Sequence, residues 1–153
     1  MDLNQYDAIK MAATLIKQAE GLRLQPYLCP AGVPTIGYGS TRYANGKAVT
    51  LKDAAITQAQ ADELLMVTLT QEYLPGVLKA SPTLADKPKA LAAILDFAYN
   101  LGVGAYEGST LRKRVDAGDW GSAVFELRRW IKAGGKVLPG LVARRDAEAA
   151  LLK

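Results

Sequence analysis

Eight residues separate Glu20 from Cys29, and five separate Cys29 from Thr35. A carboxyl, a thiol and a hydroxyl at this spacing, followed at once by Gly37-Tyr38-Gly39, can supply a proton donor, a base or nucleophile, and a group that orients water. The chain has no histidine. That excludes a His-ligated zinc centre and every Cys-His or Ser-His-Asp nucleophile pair. Acid/base chemistry near neutral pH falls to Glu, Asp, Tyr, Lys or the thiol. Cys29 is the only cysteine, so no intramolecular disulfide can form.

The elements that must hold these groups follow from periodicity. Residues 3–19 carry Ile9, Ala13, Ile16 and Ala19 at helical spacing, with Asp2 or Asn4 as cap and Gly21 as stop signal. Glu20 then ends a helix, where the negative end of the dipole favours the protonated form of a carboxyl. Residues 22–50 lose that period and are punctuated by Pro and Gly. They predict a small antiparallel sheet near 23–29, 33–39 and 42–49, with Asn45-Gly46 as a two-residue hairpin turn. Thr57 and Gln60 form a capping box that opens the next helix, which Pro75-Gly76 should bend or end. Asp86 caps an apolar, central helix that stops at Gly102-Val103-Gly104. A short helix over Thr110–Val115 follows, then one capped by Asp119 and ended by Gly134-Gly135, then a last helix over Leu141–Leu152. Trp120 and Trp130 fall on a core-facing side. The fold class is α+β, with a small sheet inserted into a helical body.

At 153 residues, 50% hydrophobic and 22% charged, the chain has the composition of one globular domain. Net charge is +4 and unevenly placed, with +5 on residues 112–153 and −1 on residues 1–111. A basic C-terminal third suits an anionic partner, although Arg128-Arg129 and Arg144-Arg145 read better as a solvated face. No recognisable nucleic-acid motif organises these charges, so a nucleic-acid binder is not expected. The most apolar early run, Met11 to Ile16, is too short for a membrane span and lacks signal-peptide order.

These blocks resemble the phage-type lysozymes, the endolysins of glycoside hydrolase family 24. Glu20, Cys29 and Thr35 repeat the spacing of that family's Glu–Asp–Thr set. Thr35-Ile36-Gly37-Tyr38-Gly39 is similar to its T-x-G-x-G segment, and Phe97-Ala98-Tyr99-Asn100-Leu101-Gly102 to its F-x-Y-N-x-G block. Ser109-Thr110-Leu111, Trp130, Gly134-Gly135-Lys136 and the run from Gly140 to Glu148 also fit, so the likeness covers nearly the whole chain. One position departs clearly: the family usually has Asp where this chain has Cys29. A His often found after the T-x-G-x-G block is also absent.

The resemblance implies a single lysozyme-like domain over 1–153, with a small sheet-containing lobe at about 20–55. Residues 1–19 and 56–153 then form a helical lobe, with a cleft between the two. It implies hydrolysis of the β-1,4 bond between N-acetylmuramic acid and N-acetylglucosamine in peptidoglycan, without metal or cofactor. Glu20 becomes the general acid and Thr35 the water positioner; Arg144 or Arg145, if paired with Glu20, would orient its carboxyl but favour the ionised form. Cys29 is left as base, as nucleophile, or as a weak substitute for Asp. Gly37, Tyr38, Tyr99, Asn100 and Ser109 become candidates for lining the cleft. A chain without a signal-anchor is expected to wait, as a monomer, in the host cytoplasm until a holin opens the membrane to the cell wall. The alternatives are a lytic transglycosylase, which needs no water-activating base, and a wall-binding module without turnover.

Overall fold

The computed structural model describes all 153 residues. Helix α1 (Leu3–Ala19) starts at Asp2, whose carboxylate accepts from the Gln5 amide at 2.9 Å. Its apolar stripe of Ala8, Ile9, Ala12, Ala13 and Ile16 is buried. The backbone turns extended at Glu20 and enters strand β1 (Arg23–Leu28). Strand β2 (Pro34–Gly37) returns antiparallel, with Tyr27 opposite Thr35 and Leu28 opposite Pro34. The register slips between Arg23 and Tyr27, where Pro26 has no N–H to give to the ladder.

The third strand expected over 42–49 does not form. One bridge, Arg42 to Ala48, takes its place. The reversal there uses Ala44, Asn45 and Gly46 rather than two residues. Gly46 sits at φ 85°, and the Tyr43 amide donates to the Lys47 carbonyl at 2.9 Å. The Asn45 side chain accepts from the Lys47 amide, which closes the turn locally and competes with the ladder. Ile36, Val49 and Leu64 form a small cluster that fixes this region to helix α2 (Gln58–Thr68).

The capping box at Thr57 and Gln60 is present. Pro75-Gly76 does not break the helix that follows. The path widens into a π turn at Leu69–Tyr73 and continues as α3 (Leu74–Ala80). Pro75 lies in the first turn of α3, where its missing N–H costs little. Gly76 is needed for packing, since a Cβ there would lie 3.0 Å from a Val103 methyl.

A 3-10 turn (Pro82–Asp86) precedes α4 (Pro88–Leu101). Its cap is Lys87, not Asp86. The residue before a proline is held extended, and the Asp86 carboxylate pairs with the Lys87 ammonium at 2.9 Å. Every residue of α4 from Ala90 to Ala98 is buried, so this is the central helix. Full burial of Leu91, Ile94, Leu95 and Phe97 contributes roughly 1.5–3 kcal/mol each. Short helices α5 (Val103–Glu107), α6 (Thr110–Asp116) and α7 (Trp120–Leu127) follow.

Gly134-Gly135 does not end a helix, because α7 already stops at Leu127. Both glycines have positive φ, 58° and 76°, and make the two-residue turn of a hairpin between β3 (Lys132–Ala133) and β4 (Lys136–Val137). Helix α8 (Pro139–Leu151) closes the chain. Both α1 and α8 pack on α4 and touch each other. No helix is long and apolar enough to cross a membrane.

Candidate active site

Glu20 stands where α1 gives way to β1, and its side chain is 32% exposed. Arg144, on α8, donates from Nη1 to Glu20 Oε1 at 2.9 Å. The other edge of the same guanidinium is taken by Asp96 of α4. Nε reaches the two Asp96 oxygens at 3.3 and 3.1 Å, and Nη2 reaches Oδ1 at 2.8 Å. Asp96 is wholly buried and the Arg144 side chain is 6% exposed. Of the two candidate arginines, Arg144 is therefore the partner of Glu20. Glu20 Oε2 accepts no hydrogen bond from the protein, which leaves it free to exchange a proton.

Arg145 is fully buried and has different partners. It lies over the Phe97 ring, contacts Glu148 at 2.7 Å, and donates to Asn100 Oδ1 at 2.8 Å. Arg144 and Arg145 are thus not a solvated face. Each guanidinium is matched by a buried carboxyl, without which burial at this depth would be prohibitive. Burial, and then its hydrogen bond with Asp96, push the Glu148 carboxyl upward against the pull of Arg145 and Arg144, so it favours the protonated form.

The second group sits on the β1–β2 hairpin. Cys29 follows β1 directly and is half-buried. Its amide donates to the Val33 carbonyl at 3.1 Å, and the Gly32 amide donates to the Cys29 carbonyl at 2.8 Å, which closes a tight turn. Backbone hydrogen bonds from Val33 and Ala31 hold the thiol below its usual range; partial burial opposes them and the Thr35 hydroxyl adds to them. The Thr35 hydroxyl, buried within the hairpin, also reaches the Val33 carbonyl at 2.8 Å. The structure therefore brings Cys29 and Thr35 together on one hairpin, and Glu20 at the end of α1 together with Asp96 of α4 and Arg144 of α8.

The phage lysozyme family model matches residues 17–148. The chain belongs to the phage lysozyme family. It is 38% identical over 143 residues to an endolysin of Acyrthosiphon pisum secondary endosymbiont phage 1, covering 91% of this chain and 92% of that one. The endolysin from Escherichia coli O157:H7 phage FAHEc1 superposes with a TM-score of 0.78 at 31% identity, over 94% of this chain and 90% of the other. The muramidase domain of SpmX from Asticaccaulis excentricus superposes with a TM-score of 0.74 at 28% identity, over 92% and 93%. The α+β architecture described above is the lysozyme fold.

Within this phage lysozyme, the remaining candidate residues have internal partners. The Tyr38 hydroxyl donates to Asp62 Oδ1 at 2.9 Å, and its carbonyl accepts from the Tyr99 hydroxyl at 2.5 Å. Tyr99 also packs its ring on Tyr73, with centroids 5.2 Å apart. Asn100 holds Arg145, and Ser109 is the buried cap of α6, accepting from the Arg112 amide at 3.1 Å. Gly37 and Gly39 adopt φ of 69° and 93°, so their glycine requirement is set by the backbone turn itself.

The largest cavity, about 530 Å³, lies between α1 and the start of α8. It meets the acid cluster only through Asp96 and Arg144, and is otherwise lined largely by apolar residues such as Leu15, Leu138 and Leu141. Sequence reasoning missed Asp96. Its one signal was a lone carboxylate inside an otherwise apolar helical run.

Proposed function

We propose that this chain is a muramidase that hydrolyses the β-1,4 bond between N-acetylmuramic acid and N-acetylglucosamine in bacterial peptidoglycan. In this reading it serves a phage in lysing its host. Residues 20–55 form the small lobe and the helices form the other wall of the cleft. The observation that carries the reading is a carboxyl anchored through one oxygen only, on the segment that also presents an ionisable thiol beside a hydroxyl.

Cleavage of a glycosidic bond needs a proton on the leaving oxygen and a nucleophile at the anomeric carbon. Glu20 delivers the proton from Oε2 while Arg144 fixes Oε1. The Cys29 thiolate takes a proton from a water held by Thr35, and that water attacks the anomeric carbon. The proton that left Glu20 ends on the released sugar hydroxyl. The proton from water rests on the thiol and returns through solvent to Glu20. Attack by water gives inversion; direct attack by sulfur would give a thioglycoside and retention, and product stereochemistry separates the two. The enzyme works as a monomer without cofactor, and holin-dependent release from the host cytoplasm gives it access to the wall.

The test is turbidity loss of outer-membrane-permeabilised cells, with mass analysis of the released muropeptides. Glu20→Gln is expected to lose at least ~100-fold in rate. Wild-type products should carry an added water. Equal lysis by the variant removes Glu20 from the reaction. Anhydro products would make the enzyme a lytic transglycosylase, and wall binding without release would make it a binding module.

A further inference from the structure

Arg144 faces two carboxyls, and they are not equivalent. Asp96 takes the Nε–Nη2 edge through three contacts between 2.8 and 3.3 Å and has no exposure at all. Glu20 takes one Nη1 contact and is one-third exposed. An arginine whose only partner was Glu20 would be a full positive charge beside it, and a cation at hydrogen-bond distance holds a carboxyl in its ionised form. A general acid must keep its proton.

We propose that Asp96 is a positioning residue for the reaction: by neutralising Arg144, it lets that guanidinium aim Glu20 without holding it as a carboxylate. This role rests on Glu20 being the proton donor of the proposed reaction. The surrounding contacts agree with it. Glu148 contacts Arg145 at 2.7 Å and also touches Asp96; burial and that contact favour its protonated form, so Asp96 is the anion on the far edge of Arg144 and Glu20 takes the remaining Nη1. The other groups facing Glu20 are the phenols of Tyr73, in the π turn, and Tyr99, on α4. Burial pushes both upward, so both stay neutral. Lys17 of α1 is turned away and pairs with Asp62 at 3.2 Å. Asp96 is thus the anion that offsets Arg144, and it lies on a helix that neither Glu20 nor Arg144 belongs to.

The experiment is the pH dependence of kcat/KM for wild type, Asp96→Asn, and Asp96→Asn combined with Arg144→Gln. Turnover needs the protonated acid, and ¹³C titration of the Glu20 carboxyl in each variant assigns its limb of the profile. In Asp96→Asn the uncompensated guanidinium favours the Glu20 carboxylate. The limb should move to lower pH by about one unit, an approximately tenfold loss at any pH above it. Removing both charges should return the limb to its wild-type position.

An unmoved limb in Asp96→Asn, with only the melting temperature lowered, overturns the proposal and leaves Asp96 a structural residue. If Asp96→Asn does not fold, Arg144→Gln replaces it. Its limb should rise, because Asp96 then stands unpaired, and the double variant should again match wild type. A double variant that stays with Arg144→Gln overturns the proposal. Failure of the muramidase reading has a different signature, namely full activity in Glu20→Gln. Titration of the Glu20 carboxyl by ¹³C NMR then still reads the coupling to Asp96, since it needs no turnover.

Discussion

The two sides of the site are built in different ways. The side proposed to deliver the proton is assembled from the end of α1, the middle of α4 and α8, and Asp96, Arg144, Arg145 and Glu148 are all buried there. The side proposed to supply the base is a single tight hairpin, held by backbone hydrogen bonds around Cys29 and by one threonine hydroxyl. A buried network of opposite charges admits few substitutions, because removing one member strands another. A turn whose geometry comes from the backbone can change its side chain freely. In the proposed reaction, the turn is therefore the side that can exchange its reactive group, and the charge network the side that cannot.

Three measurements would break or sharpen this contrast. The largest effect is expected for Glu148→Ala, which strands the Arg145 guanidinium in the core. Thermal unfolding should show a loss of roughly 3–5 kcal/mol. A loss under about 1 kcal/mol would mean the acid side is not over-determined.

Cys29→Ala should fold normally yet lose about 100-fold in turnover, within the usual range for a general base. Cys29→Asp should keep turnover and change its pH range. The base must be ionised, so activity is gained as pH rises through its titration. The wild-type thiol should ionise below the ~8.5 of a free thiol, in line with the lowered Cys29 value, whereas an aspartate ionises near ~3.9. The variant should therefore be active at pH values where wild type is not. Iodoacetamide should inactivate wild type and spare Cys29→Asp. Full activity in Cys29→Ala would remove the thiol from the reaction.

The smallest effect is expected for Thr35→Val, about tenfold in kcat with KM unchanged, since one hydrogen bond to water is lost. A change in KM alone would assign Thr35 to substrate binding.

Local features were legible in the sequence. The end of α1 at Glu20, the capping box at Thr57 and Gln60, and the hairpin carrying Cys29 and Thr35 all depend on neighbours within a few residues. What failed depended on depth or on competing uses of one residue type. Arg144-Arg145 looked like a solvated face because a charge pattern carries no information about burial. Asp96 was passed over because its partner lies 48 positions away. Gly134-Gly135 suits a helix stop and a hairpin turn equally, and only the early end of α7 decides between them. The π turn ahead of Pro75 has a local cause, since Pro75 has no N–H to give back to the Gln71 carbonyl, but the same signal fits a bend, a stop or a widened turn.

The bond between Arg144 and Glu20 joins residues 124 positions apart. Contacts of such long range form late, after the loop-closure entropy of the intervening chain has been overcome. During synthesis, Glu20, Cys29 and Thr35 leave the ribosome well before α8 does, so the nascent chain carries its reactive groups without the arginine that orients one of them. The acid side is complete only when the last helix has emerged and docked. A truncated or nicked product lacking α8 therefore lacks the oriented acid, even with the whole Glu20–Thr35 segment intact. Emergence and docking of α8 act as a late assembly step.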